Sequence, residues 1–321
     1  MKTELRFFVS WHSKESFLIS IEDFSDKYNI STRRILASGL SWEQYCHIYE
    51  DYQRVYYKQK KAMNDFLTDY LTDWPENSRI HSIRSRVKDP EHLIAKIIIR
   101  REENYKKYGS IDENNYLNYI TDIIGIRCFI LYKEDWSYVH NYLTSRIDTI
   151  PERYIKDYSK TITDDENLVY FSEEPKAYIR EGDSRKPYEG VLPDDLIEDR
   201  KIYRSVHYNI RYKGSFVEIQ VRTLFEEGWG EIDHDIVYPK YKNDPIFDEY
   251  TRLLNRVSGL ADEMGSFFRV VQSMKEKVTE GSVDPEEKPR TEVTASDETD
   301  IKNIEPKNMW DLVEKSAKEG D

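Results

Sequence analysis

Two hydrophobic rhythms alternate along this chain, and the points where one gives way to the other mark its elements. Between Ser41 and Leu71, Trp42, Tyr45, Tyr49, Tyr52, Tyr56, Met63, Phe66 and Tyr70 recur mostly every three or four positions, which predicts one long amphipathic helix. SWEQ (41–44) opens it as a capping box, with Ser41 at the N-cap and Gln44 at N3, and WPENS (74–78) ends it. A second helix opens at Asp89-Pro90, where the missing proline N–H costs nothing. It runs through EHLIAKIIIRREENYKKY to Gly109. TDIIGIRCFILY (121–132) is too continuously apolar for a surface strand and is expected in the middle of a covered sheet. WSYVHNYLTSRI (136–147) reads as the helix after it.

The period then changes to two. YRSVHYNIRY (203–212) sets Tyr203, Ser205, His207 and Asn209 against Val206, Tyr208 and Ile210. Lys213-Gly214 turns the chain into FVEIQVRT, which predicts an antiparallel hairpin. The second strand carries Glu218, Gln220 and Arg222 in one row, with Val217, Ile219 and Val221 on the other face. LFEEGWGEIDHDI reads as a helix. Residues 246–278 read as another, with Phe247, Tyr250, Leu253, Leu254, Val257, Leu260, Met264, Phe267 and Phe268 on its apolar face.

Less patterned stretches complete the organisation. RFFVSW (6–11) is compatible with a short strand, and residues 21–36 are weakly helical. Residues 156–200 are polar and are expected to form a functional loop or an insertion. Residues 280–307 are acidic and Pro-containing, the composition of a disordered linker, and MWDLVEKSAK (309–318) suits a short docking helix. The expected organisation is an N-terminal helical region (1–78), a catalytic-type core (79–245), a C-terminal helix (246–279) and an acidic tail (280–321).

Composition narrows the class of protein. A chain of 321 residues can bury one sizeable core. A formal charge of −13 and a mean hydropathy of −0.79 exclude a surface that is a cationic nucleic-acid platform throughout, while leaving room for a local basic cleft. The sequence has no apolar run long enough to span a bilayer, and its start lacks a secretory signal pattern. With Cys46 and Cys128 as its only cysteines, it fits a reducing, cytoplasmic setting without a disulfide. P-loop, GxGxxG, CxxC and HExxH patterns are absent.

Four polar clusters lie on or beside the core strands: Arg86, Lys88 and Lys96; Asp122 and Arg127; Tyr203, Ser205 and His207; Glu218, Gln220 and Arg222. Two carboxylates brought together from different strands must share a proton or hold a cation. Basic residues beside a helix N-terminus suit a polyphosphate. Together they point to Mg²⁺-dependent phosphoryl or pyrophosphoryl transfer, where positioning and charge stabilisation do most of the catalysis. The plainer readings stand beside this one. Glu218 and Arg222 equally suit a cross-strand ion-pair ladder, and Lys88 and Lys96 suit solvated helix charges. His234 suits a packed histidine as well as a ligand, and Trp229 suits the core.

SRVKDPEHLIAKI (85–97), DIIGIR (122–127), YRSVHY (203–208) and VEIQVRT (217–223), followed by a His-containing helix, resemble the synthetase domain of the RelA/SpoT family in kind and in order. The resemblance covers roughly residues 79–245. It implies an α+β fold, a nucleotidyltransferase-like mixed β-sheet flanked by helices, here with extra N- and C-terminal helices. It also implies transfer of the β,γ-pyrophosphate of ATP to an acceptor hydroxyl, with Mg²⁺ as cofactor and release of AMP. Matched position by position, Arg86 and Arg127 would sandwich adenine, and Lys88 and Lys96 would grip the phosphates. Asp122 and Glu218 would hold Mg²⁺, with Glu218 also helping to deprotonate the acceptor hydroxyl. Tyr203 would stack on the acceptor base with His207 nearby, and Gln220 and Arg222 would support the acceptor or the metal shell.

The sequence departs from the family in three places. Where the family has Asn-Gly before the stacking tyrosine, this chain has Lys201 and Ile202, which leaves the acceptor open. EPKAYIREGDSRKPYEG (174–190) interleaves Lys176, Tyr178, Arg180, Arg185 and Lys186, so that Lys176 and Arg180 are candidate acceptor contacts on a loop, or charges on a solvated insertion. The hydrolase half is expected to be missing, because residues 1–78 offer only His12 and His47 and no His-Asp pair. Three readings follow: a synthetase making (p)ppGpp from ATP and GDP or GTP; a toxic synthetase using adenine nucleotides or the 3′ end of tRNA, with an antitoxin as partner; and a catalytically silent nucleotide-sensing module. A homo-oligomer is expected in each case, and no membrane partner.

Overall fold

The computed structural model describes residues 19–72, 79–149, 169–241 and 244–279. The expectations for RFFVSW, WPENS, the acidic tail and the 309–318 helix lie outside these residues. The chain divides into two compact units at Phe268/Arg269. The first contains the sheet and the helices discussed below, the last of them as far as Phe268.

The long tyrosine-rich repeat is helix α3 (Trp42–Phe66), extended by one wider π-type turn over Leu67–Leu71. Its capping box forms as expected: Ser41 Oγ accepts from the Gln44 N–H, and the Gln44 side chain accepts from the Ser41 N–H. Two short helices precede it, α1 (Ile21–Tyr28) and α2 (Thr32–Ala37), each capped by a serine side chain. Helix α4 (Pro90–Glu103) starts with Asp89 as N-cap and Pro90 in its first turn. It stops at Asn104 rather than Gly109, because Asn104 leaves the helical conformation and caps the short α5 (Tyr105–Tyr108). A second short helix, α6 (Tyr116–Tyr119), leads into the sheet.

The sheet has seven strands: β1 (Ile80–Val87), β2 (Ile124–Ile130), β3 (Val169–Phe171), β4 (Lys176–Arg180), β5 (Ile197–Arg200), β6 (Ser205–Tyr212) and β7 (Ser215–Thr223). Their spatial order is β1-β2-β7-β6-β4-β5, and β3 also pairs with β6. The β2–β7 and β4–β5 pairs are parallel and the others antiparallel, so the sheet is mixed. The β6–β7 hairpin turns at Lys213-Gly214, both with positive φ (46° and 76°). That is the twist a two-residue hairpin turn requires.

Three of these strands correct the expectation of a loop over 156–200. Lys176, Tyr178 and Arg180 alternate with buried Ala177 and Ile179, a period-two signal masked by the charged face, and β4 pairs with β6. The inserted segment therefore widens the sheet beyond β6.

One face of the sheet is apolar. Ile124, Ile126, Cys128, Val217, Ile219, Val221, Tyr208 and Ile210 are all buried in the core. Helix α3 lies over β1, β2 and β7, and α7 (Trp136–Thr144) lies over β7. Burial pushes the Cys128 thiol up to about 12, which leaves it an inert core side chain. The other face is polar. It is partly covered by α8 (Leu224–Ile232), after which a π-helical stretch (Asp233–Tyr241) leads to the long α9 (Pro245–Thr279). Among the described residues no helix is long and apolar enough to cross a membrane.

Candidate functional site

The strand register decides which polar side chains meet. Arg86 on β1 is opposite Gly125 on β2, which is opposite Glu218 on β7, which is opposite Asn209 on β6. The next row reads Arg84, Arg127, Gln220, His207 and Lys176. Because side chains alternate across a strand, both rows stand on one face. The sequence pattern in β7 therefore extends into a charged floor across five strands. At its centre Gly125 leaves a gap: a Cβ there would meet only the Arg86 side chain, at 3.8 Å.

Along β7 the acid, amide and guanidinium form a relay. Arg222 donates to the Gln220 carbonyl oxygen, and the Gln220 amide donates to Glu218 at 2.6 Å. Glu218 also faces His207 Nδ1 at 3.4 Å, and His207 Nε2 lies 2.8 Å from the Tyr203 hydroxyl. With Nδ1 protonated, a neutral His207 donates to Glu218 and accepts from Tyr203. Burial favours a neutral Glu218, yet its contact with His207 holds its pKa below the usual carboxylate value. Burial raises the Tyr203 pKa, so the phenol keeps its proton.

Asp122 sits at the entrance to β2, next to the start of α4. Its Oδ2 accepts from Lys96 Nζ at 2.6 Å and from Lys88 Nζ at 2.8 Å. Lys88 is itself fixed by β1, and its carbonyl accepts from the Tyr52 hydroxyl of α3 at 2.8 Å. Burial favours protonated Asp122, but the two ammonium groups prevail and hold it at about 2. Burial lowers the Lys88 pKa despite this partner. The two carboxylates thus avoid sharing a proton in a way the sequence reading did not foresee, since lysines neutralise one of them. Asp122 Oδ1 remains buried without a hydrogen-bond partner.

The profile for the region found in RelA / SpoT proteins matches residues 85–243. Residues 85–243 belong to the RelA/SpoT family. Among solved structures it is similar to the small alarmone synthetase 1 from Bacillus subtilis, at 20% identity and a TM-score of 0.44 over 70% of this chain and 98% of that one. The same enzyme bound to its product pppGpp gives 21% identity and 0.40 over 70% and 94%. A GTP pyrophosphokinase family protein from Streptococcus pneumoniae gives 19% identity and 0.39 over 82% and 98%. No curated protein sequence matches.

Measured against the RelA/SpoT expectations, the described residues place Lys88, Lys96, Asp122, Arg127, Glu218, Gln220, Arg222, His207 and Tyr203 around one floor. Arg86 stands exposed at its edge, opposite Gly125. Arg127 is held by Glu227 at 2.7 Å and by Glu231, both one turn apart on α8. Arg84 bonds Glu231 at 2.7 Å, and Arg222 approaches Glu227 at 3.3 Å. Burial works against ionised Glu231, yet Arg127 and Arg84 bring it to about 2. Glu227, Glu231 and Arg84 were not picked out from the sequence. The available signal was the i, i+4 acid pair on a helix directly after the β7 row.

Beside Tyr203 and His207 the inserted β4 brings Tyr178 against His207, with ring centroids 4.8 Å apart, and within 6.0 Å of Tyr203. Arg200 of β5 lies over the Tyr178 ring at 4.9 Å. Lys176 stands opposite His207. Arg180 does not join them. It is buried, pairs with Glu226 of α8 and donates to the Asn255 carbonyl of α9 at 3.2 Å, so the expectation of a loop side chain free to contact the acceptor is corrected.

The donor set fits Mg²⁺ arriving with its nucleotide. Among the described residues no group of three or more His, Cys, Asp or Glu is close enough to cage a metal. Asp122, with its unpartnered Oδ1, and Glu218 are near enough to influence each other's ionisation. Mg²⁺ commonly takes one or two carboxylates and completes its shell with phosphate and water oxygens.

Proposed function

We propose that this chain, a pyrophosphotransferase by family, moves the β,γ-pyrophosphate of ATP to the 3′-hydroxyl of GDP or GTP. The observation that carries the reading is the continuous polar floor, which sets a lysine-neutralised Asp122 beside Glu218 and leaves Gly125 open between Arg86 and Arg127. A planar base resting over Gly125 would have a guanidinium on either side, and guanidinium planes favour π-faces. The ATP phosphates would then lie toward Lys88 and Lys96. Both ammonium groups already meet a carboxylate oxygen and can exchange it for a phosphate oxygen. Mg²⁺ held by Asp122 and Glu218 would neutralise charge on the transferring group.

The acceptor base packs beside Tyr203, and its 3′-hydroxyl faces Glu218. In the transfer step the acceptor oxygen bonds to the β-phosphorus and the α–β bridging bond breaks. AMP leaves with that electron pair, and the acceptor proton passes to Glu218. Gln220 and His207 orient the receiving carboxylate, and the Arg222–Gln220–Glu218 relay fixes its angle. The site acts without the Asn-Gly of typical members. Lys201-Ile202 and the Tyr178–Arg200 wall of the inserted strands are the features that would favour a different acceptor.

The test incubates purified protein and Mg²⁺ with γ-labelled ATP and, separately, GDP, GTP, ADP or deacylated tRNA. Label on GDP or GTP is the expected result. Label on ADP or tRNA would keep the chemistry and replace the acceptor, as in the toxic reading. Transfer that survives Glu218→Gln would overturn the role given to this carboxylate, which predicts lost turnover with ATP binding retained.

A further inference from the structure

Three guanidinium groups from three neighbouring strands meet two carboxylates of α8. Arg84 of β1, Arg127 of β2 and Arg222 of β7 belong to the strands of the polar floor, and Glu227 and Glu231, one turn apart, reach down to them. The two acids divide the three cations unequally. Glu231 takes Arg84 and Arg127 at the outer part of the cluster, where its own side chain is 40% exposed and that of Arg84 61%. Water screens such pairs and weakens them. Glu227 is 12% exposed and lies between Arg127, at 19%, and Arg222, at 7%. Charges at this depth are screened far less, so Glu227 is the carboxylate that decides where two guanidinium groups sit.

Glu227 uses a different oxygen for each. Its Oε1 accepts from Arg127 Nη1 at 2.7 Å, and its Oε2 faces Arg222 Nη1 at 3.3 Å. Arg222 also reaches the other way. It donates to Gln220, which donates to Glu218, and its guanidinium lies over the Tyr203 ring at 5.7 Å. One carboxylate therefore holds the guanidinium assigned to adenine together with the one that leads to the acceptor tyrosine and to Glu218. Gly230 lets α8 come this close, since a Cβ there would lie 3.3 Å from Arg222 Nη1.

We propose that Glu227 is a positioning residue that sets the ATP end and the acceptor end of the site together, while Glu231 serves the ATP end alone. No bond forms or breaks at Glu227. Its charge keeps Arg127 and Arg222 in place. Without it three cations share one partly exposed acid, and Arg222 loses the carboxylate that holds it. The Arg222–Gln220–Glu218 relay then no longer fixes the angle of Glu218, and a misplacement of about 1 Å can cost about 10²-fold in rate.

The inference rests on the function proposed above, and the test separates the two. Steady-state rates are measured with ATP and GDP, or with the acceptor that carries label in the assay above, for Glu227→Gln and Glu231→Gln, each checked for folding by far-UV circular dichroism. Glu227→Gln is expected to lower kcat about tenfold or more and to raise the ATP KM several-fold. Glu231→Gln is expected to raise the ATP KM with little loss of kcat, a split that a general loss of packing would not produce. Adding Glu227→Gln to Arg222→Met should lower kcat no further, because the path it acts through is already gone. An unchanged kcat in folded Glu227→Gln, an equal fall in Glu231→Gln, or a further fall on top of Arg222→Met overturns the proposal. If Glu227→Gln does not fold, Gly230→Ala decides: its methyl presses on the Arg222 guanidinium and should lower kcat with the ATP KM unchanged, and an unchanged kcat overturns the proposal. Turnover that survives Glu218→Gln removes the reading of the site and this inference with it. Turnover lost there but kept in Glu227→Gln removes this inference alone.

Discussion

Asp122→Asn changes one charge and almost no volume, which makes it a clean probe of the site's electrostatics. Asp122 Oδ2 accepts from two ammonium groups, at 2.6 and 2.8 Å, in a place where burial alone would protonate it. Its pKa of about 2, against 3.8 for an unperturbed aspartate, corresponds to about 2.5 kcal/mol of stability at neutral pH. Removing the carboxylate also leaves buried Lys88 beside Lys96 with no acid between them, so the cost should not fall below this figure. In a protein of this size each kcal/mol moves Tm by roughly 2–4 °C, so a fall of roughly 5–10 °C is expected. The sign with pH follows from a depressed acid. The stabilisation is complete above the unfolded pKa and disappears as pH falls toward the folded one, so the two melting curves should converge under acid conditions. Differential scanning calorimetry without Mg²⁺, from neutral to acid pH, measures both. A carboxylate serving only a metal would be repelled by Glu218 in the metal-free protein, and its loss would stabilise. A variant with unchanged or higher Tm would therefore refute the lysine-neutralised account.

Further outcomes follow from other contacts. Arg204→Met removes the ion-pair partner of Asp262, which is almost fully buried and keeps only the Thr223 hydroxyl as a donor, and should lower stability by about 3–5 kcal/mol in urea titrations. Ser41→Ala removes one half of the α3 capping box and should cost about 1 kcal/mol in the same measurement. Tyr203→Phe keeps the ring but loses the hydroxyl that donates to His207, so kcat should fall with little change in the ATP KM. Gly259→Ala should destabilise, because the new methyl displaces the Arg180 guanidinium from its place against α9.

Much of the site was readable because strand chemistry is periodic. The alternation in β6 and β7, with Lys213-Gly214 between them, was enough to place Glu218, Gln220 and Arg222 on one face and to pair His207 with it. The N-cap at Asp89 and the apolar run of β2 likewise put Lys88 and Asp122 beside element ends, with Lys96 inside α4 and Arg127 at the centre of β2. The strands of the insertion escaped because β4 and β5 are short and their exposed faces are charged, so composition outweighed alternation. Arg180 looked like its neighbour Lys176, but it lies at the strand end that meets α8 and α9.

What the sequence determined by itself was local: which segments are helices or strands, where they start, and which side chains share a face. Those properties depend on backbone geometry and on neighbours a few residues away. Only the tertiary structure decided that two lysines neutralise Asp122, that α8 acids hold Arg127, and that α9 turns its polar side inward. Each of these joins residues dozens of positions apart, and the balance between burial and charge there is set by which elements pack together. A hydrophobic period reports that a helix has an apolar side, but the buried partners of Asn255 and Asp262 decide which way that side faces.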